Sequence, residues 1–324
     1  MDKPKKDKTE RTEKSRRDDA ARAGWLYYIA GNTQDEIAGK LNVSRPTAQR
    51  LVSLALSERL ITFRLDHPLA ACMDLARQLT DRYALKHCDV VPTDPQNRNN
   101  VAGVAGSAAG FLEQKLTATT PIIIALGTGR TLRAAVDQIR PMQCPHHQLV
   151  SLVGNIAPDG SASFFDTLTR LADLTQARHY PIPLPLVAAS AAEKELLLSI
   201  EPVRHVYALA ARADLTIVGV GQMDADAQQF IDGFISREQL LDLMRAGAVG
   251  EVVGWAYDSE GRPLTAGTNT RITSVPLKPA DGRLVVGVAI GPAKEKAIRA
   301  ALAGRLLSGL ITDESTATAL LGSR

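Results

Sequence analysis

Residues 33–52 read TQDEIAGKLNVSRPTAQRLV, and the polar residues in this stretch mark out two short helices with a tight turn between them. Thr33 has the side chain of a helix N-cap, and Glu36 stands three residues on, the spacing that closes a capping box. Behind that cap, Ile37, Ala38 and Leu41 share one helical face. Asn42 and Val43 form the turn. Ser44 is a second N-cap, and Pro46 falls in the first turn after it, where a missing N–H does no harm. The second helix buries Ala48, Leu51 and Val52, and continues through Leu54 and Ala55. Two capped helices joined in this way form a helix-turn-helix, whose second helix enters the major groove of duplex DNA.

With the apolar side of the second helix assigned, Ser44, Arg45, Thr47, Gln49 and Arg50 remain on its exposed edge. Arg suits guanine, Gln suits adenine, and Ser and Thr suit phosphate or base edges. An ordinary solvated helix also carries such residues, so the caps, the turn and the flanking pattern have to be read together. Gly39 is expected to let the two helices approach closely. Upstream, residues 19–30 place Ala23, Leu26, Tyr27 and Ala30 on one face. Residues 1–19 are almost all charged or polar, with too little to bury, and are expected to form a disordered basic arm. Lys3, Lys5, Lys6, Lys8, Arg16 and Arg17 there serve either as phosphate contacts or as a solubilising tail. Downstream, LITFRL at 60–65 alternates like the strand of a wing.

Charge follows the same division. Residues 1–64 hold 14 Lys and Arg against 9 Asp and Glu, while the remaining 260 hold 24 against 26. A basic head on a slightly acidic body suits a polyanion partner at one end only. At 324 residues, 45% hydrophobic and 23% charged, the chain has the length of about two domains. Cys72, Cys88 and Cys144 are odd in number and without a CxxC pair, which argues against a disulfide framework or structural zinc and fits a reducing cytoplasm. No run reaches the roughly eighteen apolar residues of a membrane span, and no secretory signal opens the chain. No cofactor and no metal is expected.

Residues 68–83 form a further amphipathic helix, with Leu69, Cys72, Ala76, Leu79 and Tyr83 at steps of three and four. That seam would either pair two subunits or pack on its own domain. Beyond residue 89, strands alternate with helices. The strands are expected at 122–126, 149–153, 180–184, 215–220, 252–257 and 284–290, and the main helices at 101–116, 130–139, 164–176, 237–246 and 293–307. The runs at 122, 215 and 284 are nearly continuous apolar stretches, as in a parallel sheet covered on both faces.

Three strand ends carry polar chemistry. The run Leu126-Gly127-Thr128-Gly129-Arg130-Thr131 takes a buried strand through a glycine turn into a helix, offering backbone N–H groups, hydroxyls and a guanidinium to an anion or polyol. It lacks the GxxxxGK[ST] of a P-loop, and a plain turn explains it equally well taken alone. Gly291 and Lys294 follow the strand at 284–290, and Val218-Gly219-Val220-Gly221 ends a third. Ligands of open α/β sheets bind at carboxyl ends of strands, so the convergence of three such ends implies a pocket.

The run WLYYIAGNTQDEIAGKLNVSRPTAQRL resembles the N-terminus of the SorC family of sugar-binding transcriptional regulators. The resemblance continues in order through LGTGRTL, SLVGN, ADLTIVGVG, GAVGEV, VGVAIGPAKEKAIRAAL and GLITDESTATALL, over about 300 residues. It implies an α/β effector domain at 89–324 similar to the sugar-isomerase and CoA-transferase-like folds, with a mostly parallel Rossmann-type sheet. Ahead of it come a small winged helix-turn-helix domain at 20–66 and a linker or oligomerisation helix at 67–88. It also implies phosphate handling by Gly127, Thr128, Gly129, Arg130, Thr131 and Lys294, and polar ligand contacts from Asn155, Asp166 and Glu251. For those last three, a turn residue, a helix N-terminal charge and an exposed strand start are equally good accounts. Two departures stand out. Ile290-Gly291 replaces a pair of glycines, and Asn155 is not a lysine, which excludes an imine-forming effector there. The expected protein is a cytoplasmic homodimer or homotetramer that binds operator DNA under control of a sugar, polyol or sugar phosphate. The alternative is a sugar-phosphate isomerase or deaminase fused to a DNA-binding head. Against it, the loop QMDADAQQ lacks the Asp-Gly-His run of the deaminases, Asp224 and Asp226 read as solvated carboxylates, and His146-His147 look like ordinary loop residues.

Overall fold

The computed structural model describes residues 6–58, 60–61, 69–156, 160 and 166–322, apart from the side chains of residues 6–15 and 155. The chain divides into two units, Met1–His67 and Pro68–Arg324.

The first unit is helical: α1 (Lys6–Tyr28), α2 (Gln34–Leu41) and α3 (Arg45–Ser57). Residues 6–19, expected as an unstructured arm, are part of α1. Their Lys, Arg and Glu are good helix formers, and Ala20 and Ala23 just beyond them are buried against Ala48, Leu51, Val52 and Ala55. The buried face of α1 is therefore Ala20, Ala23 and Gly24, whereas Tyr27 and Ala30 are exposed. Both caps form as the sequence predicts. Thr33 closes the capping box with Glu36, and Ser44 Oγ accepts from Thr47 N at 3.3 Å. Asn42 ends α2 in the left-handed region, φ 54°, a position that Asn tolerates. Gly39 is not the point of close approach, because a Cβ there would meet nothing within 4 Å. Gly24 is, with a Cβ falling 2.7 Å from that of Ala55 and 2.5 Å from Ile61 Cδ1. Most of the wing expected at 60–65 lies outside the described residues; Leu60 and Ile61 pack on the helical core.

The second unit begins with α4 (Ala70–Tyr83), followed by β1 (His87–Val91), α5 (Ala102–Leu116), β2 (Ile123–Leu126), α6 (Arg130–Val136), β3 (Gln148–Ile156), α7 (Leu168–Thr175), β4 (Arg178–Pro185), α8 (Ala191–Ser199), α9 (Glu201–Ala211) and β5 (Leu215–Gly219). Next come β6 (Gly221–Gln222), α10 (Gln228–Ile231), α11 (Arg237–Arg245), β7 (Gly250–Val252), β8 (Trp255–Tyr257), β9 (Val285–Val288), α12 (Glu295–Ala303), β10 (Gly309–Asp313) and α13 (Glu314–Gly322). Seven strands form a parallel sheet in the order β1-β10-β9-β5-β2-β3-β4. Successive side chains alternate between faces. Ile124, Leu126, Leu215, Ile217, Val286 and Val288 meet α5, α6 and α7 on one side. Ala125, Val150, Val218 and Leu310 meet α4, α9, α12 and α13 on the other. The seam of α4 thus packs on its own unit, with Cys72 and Leu79 buried.

Residues 252–257 do not form one strand. Val253 and Gly254 both take positive φ, 48° and 91°, and make a two-residue hairpin turn between β7 and β8 with the twist that antiparallel strands favour. With β6 these strands form a small antiparallel sheet. It has its own core of Met223, Ile235, Leu240, Leu243 and Ala256.

Candidate functional site

Strand order fixes where the second unit can hold a ligand. From β2 the chain moves outward through β3 to β4, then returns to the other side of β2 with β5 and moves outward again through β9 and β10. The direction reverses between β2 and β5, and a crevice opens at the carboxyl ends of strands at such a reversal. The glycine turn after β2 lies there. Gly127 N donates to Ile217 O of β5 at 2.8 Å, and Thr167 Oγ1 donates to Gly127 O at 2.7 Å. Gly129 has φ 123°, a conformation that needs glycine. Thr128 is partly exposed and Thr131 is buried.

The turn after β9 repeats this plan. Gly291 has φ 103°, and its N–H donates to Thr316 Oγ1 of α13 at 3.0 Å, which anchors the short 3-10 turn ending in Lys294. Asn99 Oδ1 lies 2.8 Å from where a Cβ on Gly291 would sit. Burial lowers the pKa of the Lys294 ammonium, and the Arg130 guanidinium lowers it further, while Glu251 opposes both.

Glu251 stands on β7. Its Oε2 accepts from Gly254 N at 2.9 Å and from Gln229 Nε2 at 3.2 Å. Burial raises its carboxyl pKa, against those two hydrogen bonds and the nearby Lys294 charge. Gly221, paired with Glu251 across β6 and β7, leaves room for it, since a Cβ there would lie 2.3 Å from Glu251 Oε1. Arg130 reaches the loop after β6. It donates to Gln228 Oε1, and its second terminal nitrogen lies 3.4 Å from Asp232 Oδ1.

The structure thus brings together Gly127, Thr128, Gly129, Arg130, Thr131, Glu251 and Lys294. Asp166 is engaged at the start of α7, where it accepts from Leu168 N at 3.0 Å, Thr169 N at 3.3 Å and Thr169 Oγ1 at 2.7 Å. Asn155 is on β3, and its side chain lies outside the described residues. Gln228, Gln229 and Asp232 give no local signal in the sequence, because their partners Arg130 and Glu251 lie 22 to 102 residues away. His147 is not a loop residue in character. It is fully buried, accepts from Ile122 N at Nδ1 (3.2 Å), and so donates from Nε2 to Leu116 O (3.0 Å).

On α3 the hydroxyls of Ser44 and Thr47 bond each other at 2.9 Å as part of the cap. Arg45 Nε lies 3.4 Å from Asp35 Oδ1 of α2 in an exposed pair, an arrangement that holds the side chain only weakly. Arg50 Nε donates to Pro46 O at 3.2 Å, and Gln49 is exposed.

A helical head and an α/β unit with polar groups at its sheet reversal define a ligand-responsive regulator. The family model for a sugar-binding domain (Sugar-bind) matches residues 67–322, and the chain belongs to the SorC family of sugar-binding transcriptional regulators. It is 33% identical to the erythritol catabolism regulatory protein EryD of Brucella abortus, over 94% of this chain and 96% of the relative. It is 31% identical to the transcriptional regulator LsrR of Klebsiella pneumoniae, over 93% and 92%. The full-length sorbitol operon regulator SorC from Klebsiella pneumoniae has the same fold, with a TM-score of 0.70 at 21% identity, covering 93% of this chain and 97% of that one. The relatives are transcriptional regulators, and this chain is one of them rather than an isomerase or deaminase. Among the described residues no helix is long and apolar enough to cross a membrane.

Proposed function

We propose that the chain controls a carbohydrate or polyol catabolic operon from the cytoplasm, as a homodimer or homotetramer. Its effector is a sugar, polyol or sugar phosphate held at the carboxyl ends of β2, β5 and β9. Arg130 and Lys294 orient polar groups of the effector, Gly127, Thr128, Gly129 and Thr131 line its approach, and Glu251 accepts hydroxyls. Asn155 and Asp166 border the same strand ends. Operator DNA is read by the N-terminal half of α3 through Arg45, Gln49 and Arg50, with Ser44 and Thr47 on phosphate. Relatives named for erythritol catabolism and for the sorbitol operon favour the polyol class. The observation that carries the reading is that Arg130, which follows β2 at the reversal of strand order, and Glu251, on β7, both act electrostatically on Lys294, which follows β9.

A thermal-shift screen of alditols, sugars and their phosphates tests the effector site. A hit should stabilise the wild type and lose its effect in K294A, and equal stabilisation of both proteins counts against the site. For the head, Q49A should cost about 1–3 kcal/mol of specific operator binding, measured by fluorescence anisotropy against a scrambled duplex. An unchanged ratio of specific to scrambled binding removes Gln49 from base readout.

A further inference from the structure

The segment that carries Lys294 holds α13 at both ends. Gly291 N donates to Thr316 Oγ1, in the first turn of α13, at 3.0 Å, and both residues are buried. Lys294 N donates in turn to Gly291 O at 3.0 Å, so Lys294 and Gly291 belong to one tight turn. Beyond it, Arg299 of α12 donates from its two terminal nitrogens to Leu320 O at 2.8 Å and to Ala319 O at 2.7 Å. Those carbonyls lie in the last turn of α13, where a helix has no backbone donors of its own to meet them.

The same last turn is held from the other side by α4, the first helix after the head in the chain. Arg82 Nη1 donates to Leu321 O at 2.7 Å, and Tyr83 Oη donates at 3.4 Å to Leu320 O, the carbonyl that Arg299 also reaches. The two helices pack on each other, with Cys72 and Leu79 of α4 and Ala317 and Leu320 of α13 in one core. Glu314, at the start of α13, stands beside Cys72 near the start of α4. Packed helices tied in this way shift between discrete arrangements rather than deform continuously.

We infer that α13 carries effector binding from the Lys294 turn to α4: Thr316 and Arg299 pass on the movement of the turn, and Arg82 and Tyr83 receive it. All four act as positioning residues and none touches the effector. The inference rests on Lys294 belonging to the effector site.

Hydrogen exchange of the full chain, read by mass spectrometry, tests this. The probes are erythritol, sorbitol and their terminal monophosphates, each in excess and compared with the free protein. A probe that occupies the site should slow exchange over residues 289–296 of the wild type. It should also change exchange in α4 at least about fivefold, the lower end of ordinary coupling. T316V removes the acceptor of Gly291 N at similar volume, and R299M removes the donors to α13 at similar length. Each should keep the slowing over 289–296 and cut the α4 response to under about twofold. T316S keeps the hydroxyl and should respond as the wild type does. A merely structural role for these residues would speed exchange with and without probe alike and leave the response to probe intact. That result overturns the inference, and so does a wild type whose α4 ignores a probe that slows 289–296. If T316V, which leaves Gly291 N buried without its acceptor, fails to fold, R299M decides. Slowing over 289–296 that is absent from the wild type with every probe, or equal in K294A, overturns the effector site itself and the inference with it.

Discussion

Gly24 and Gly221 both give room to a neighbour, yet adding one methyl group at each has different expected consequences. At Gly24 the new Cβ meets Ala55 Cβ at 2.7 Å and Ile61 Cδ1 at 2.5 Å. Ala55 is fixed to the backbone of α3, so α1 and α3 must separate. G24A should destabilise the head by about 1–3 kcal/mol, the usual range for overpacking. Chemical denaturation followed through Trp25, which lies on α1, reads the loss. At Gly221 the clash is with the carboxylate end of Glu251, which can swing away at little cost to the fold. Swinging away breaks its bonds to Gln229 and Gly254. G221A should therefore keep a melting temperature within a few degrees of the wild type and lose about tenfold or more in effector affinity, by calorimetry. A variant that binds effector normally would show that the Glu251 geometry is not needed.

At the scale of elements, the sequence made the helical head and the central strands legible, because capping residues and apolar runs are local signals. Thr33, Glu36, Ser44 and Pro46 marked helix starts through chemistry contained within four residues. The outer strand β1 gives no clear signal in the sequence, since HCDVV has no continuous apolar run and is half-buried throughout. β10 shows in the sequence only as the motif GLITD, although all five of its residues are buried. The turn at Val253–Gly254 was hidden because valine rarely takes positive φ. The candidate cluster was half legible for the same reason. Glycine turns announce themselves, but that Asp232 meets Arg130 across some hundred residues depends on where β5 and β6 deliver the chain. Edge strand β4 carries Pro181 and Pro183, which cannot donate to a further strand and so discourage edge pairing. His147 clamps the sheet from below, joining the end of α5 to the start of β2. Burial lowers its pKa from 6.5, and the adjacent His146 lowers it further, while its hydrogen bond to Leu116 opposes this. The unfolded chain therefore takes up a proton at a pH where the folded one does not, and stability falls as pH drops below about 6.5. Trp255, bonded to Val275 O at 3.1 Å, reports unfolding of this unit in a W25F background. Its melting temperature should fall between pH 7 and pH 5, and H147N, although less stable at pH 8, should show a shallower fall. An equal slope in both proteins would place the acid sensitivity elsewhere.

At the scale of the whole molecule, the two units have separate cores, so a signal from one reaches the other only if the effector binds two arrangements of the chain unequally. Linkage then makes a demand that no local contact can satisfy. If effector changes operator affinity by some factor, operator must change effector affinity by that same factor, usually about 5- to 150-fold. Each side is measurable on the full chain: anisotropy gives the operator Kd with and without saturating effector, and calorimetry gives the effector Kd with and without operator. The two ratios should agree within error. K294A should bind operator as the effector-free wild type does and should not respond to effector, because Lys294 belongs to the sheet-end cluster and α3 to the head. Operator affinity should also fall steeply with salt, with a log–log slope of about −0.9 for each phosphate contacted, and this slope should be the same in K294A. A weaker slope in the variant would mean that Lys294 touches DNA, and the separation of reading head from sensing unit would have to be abandoned. Unequal ratios would mean that the two titrations do not close one thermodynamic cycle, as when effector or operator changes subunit assembly.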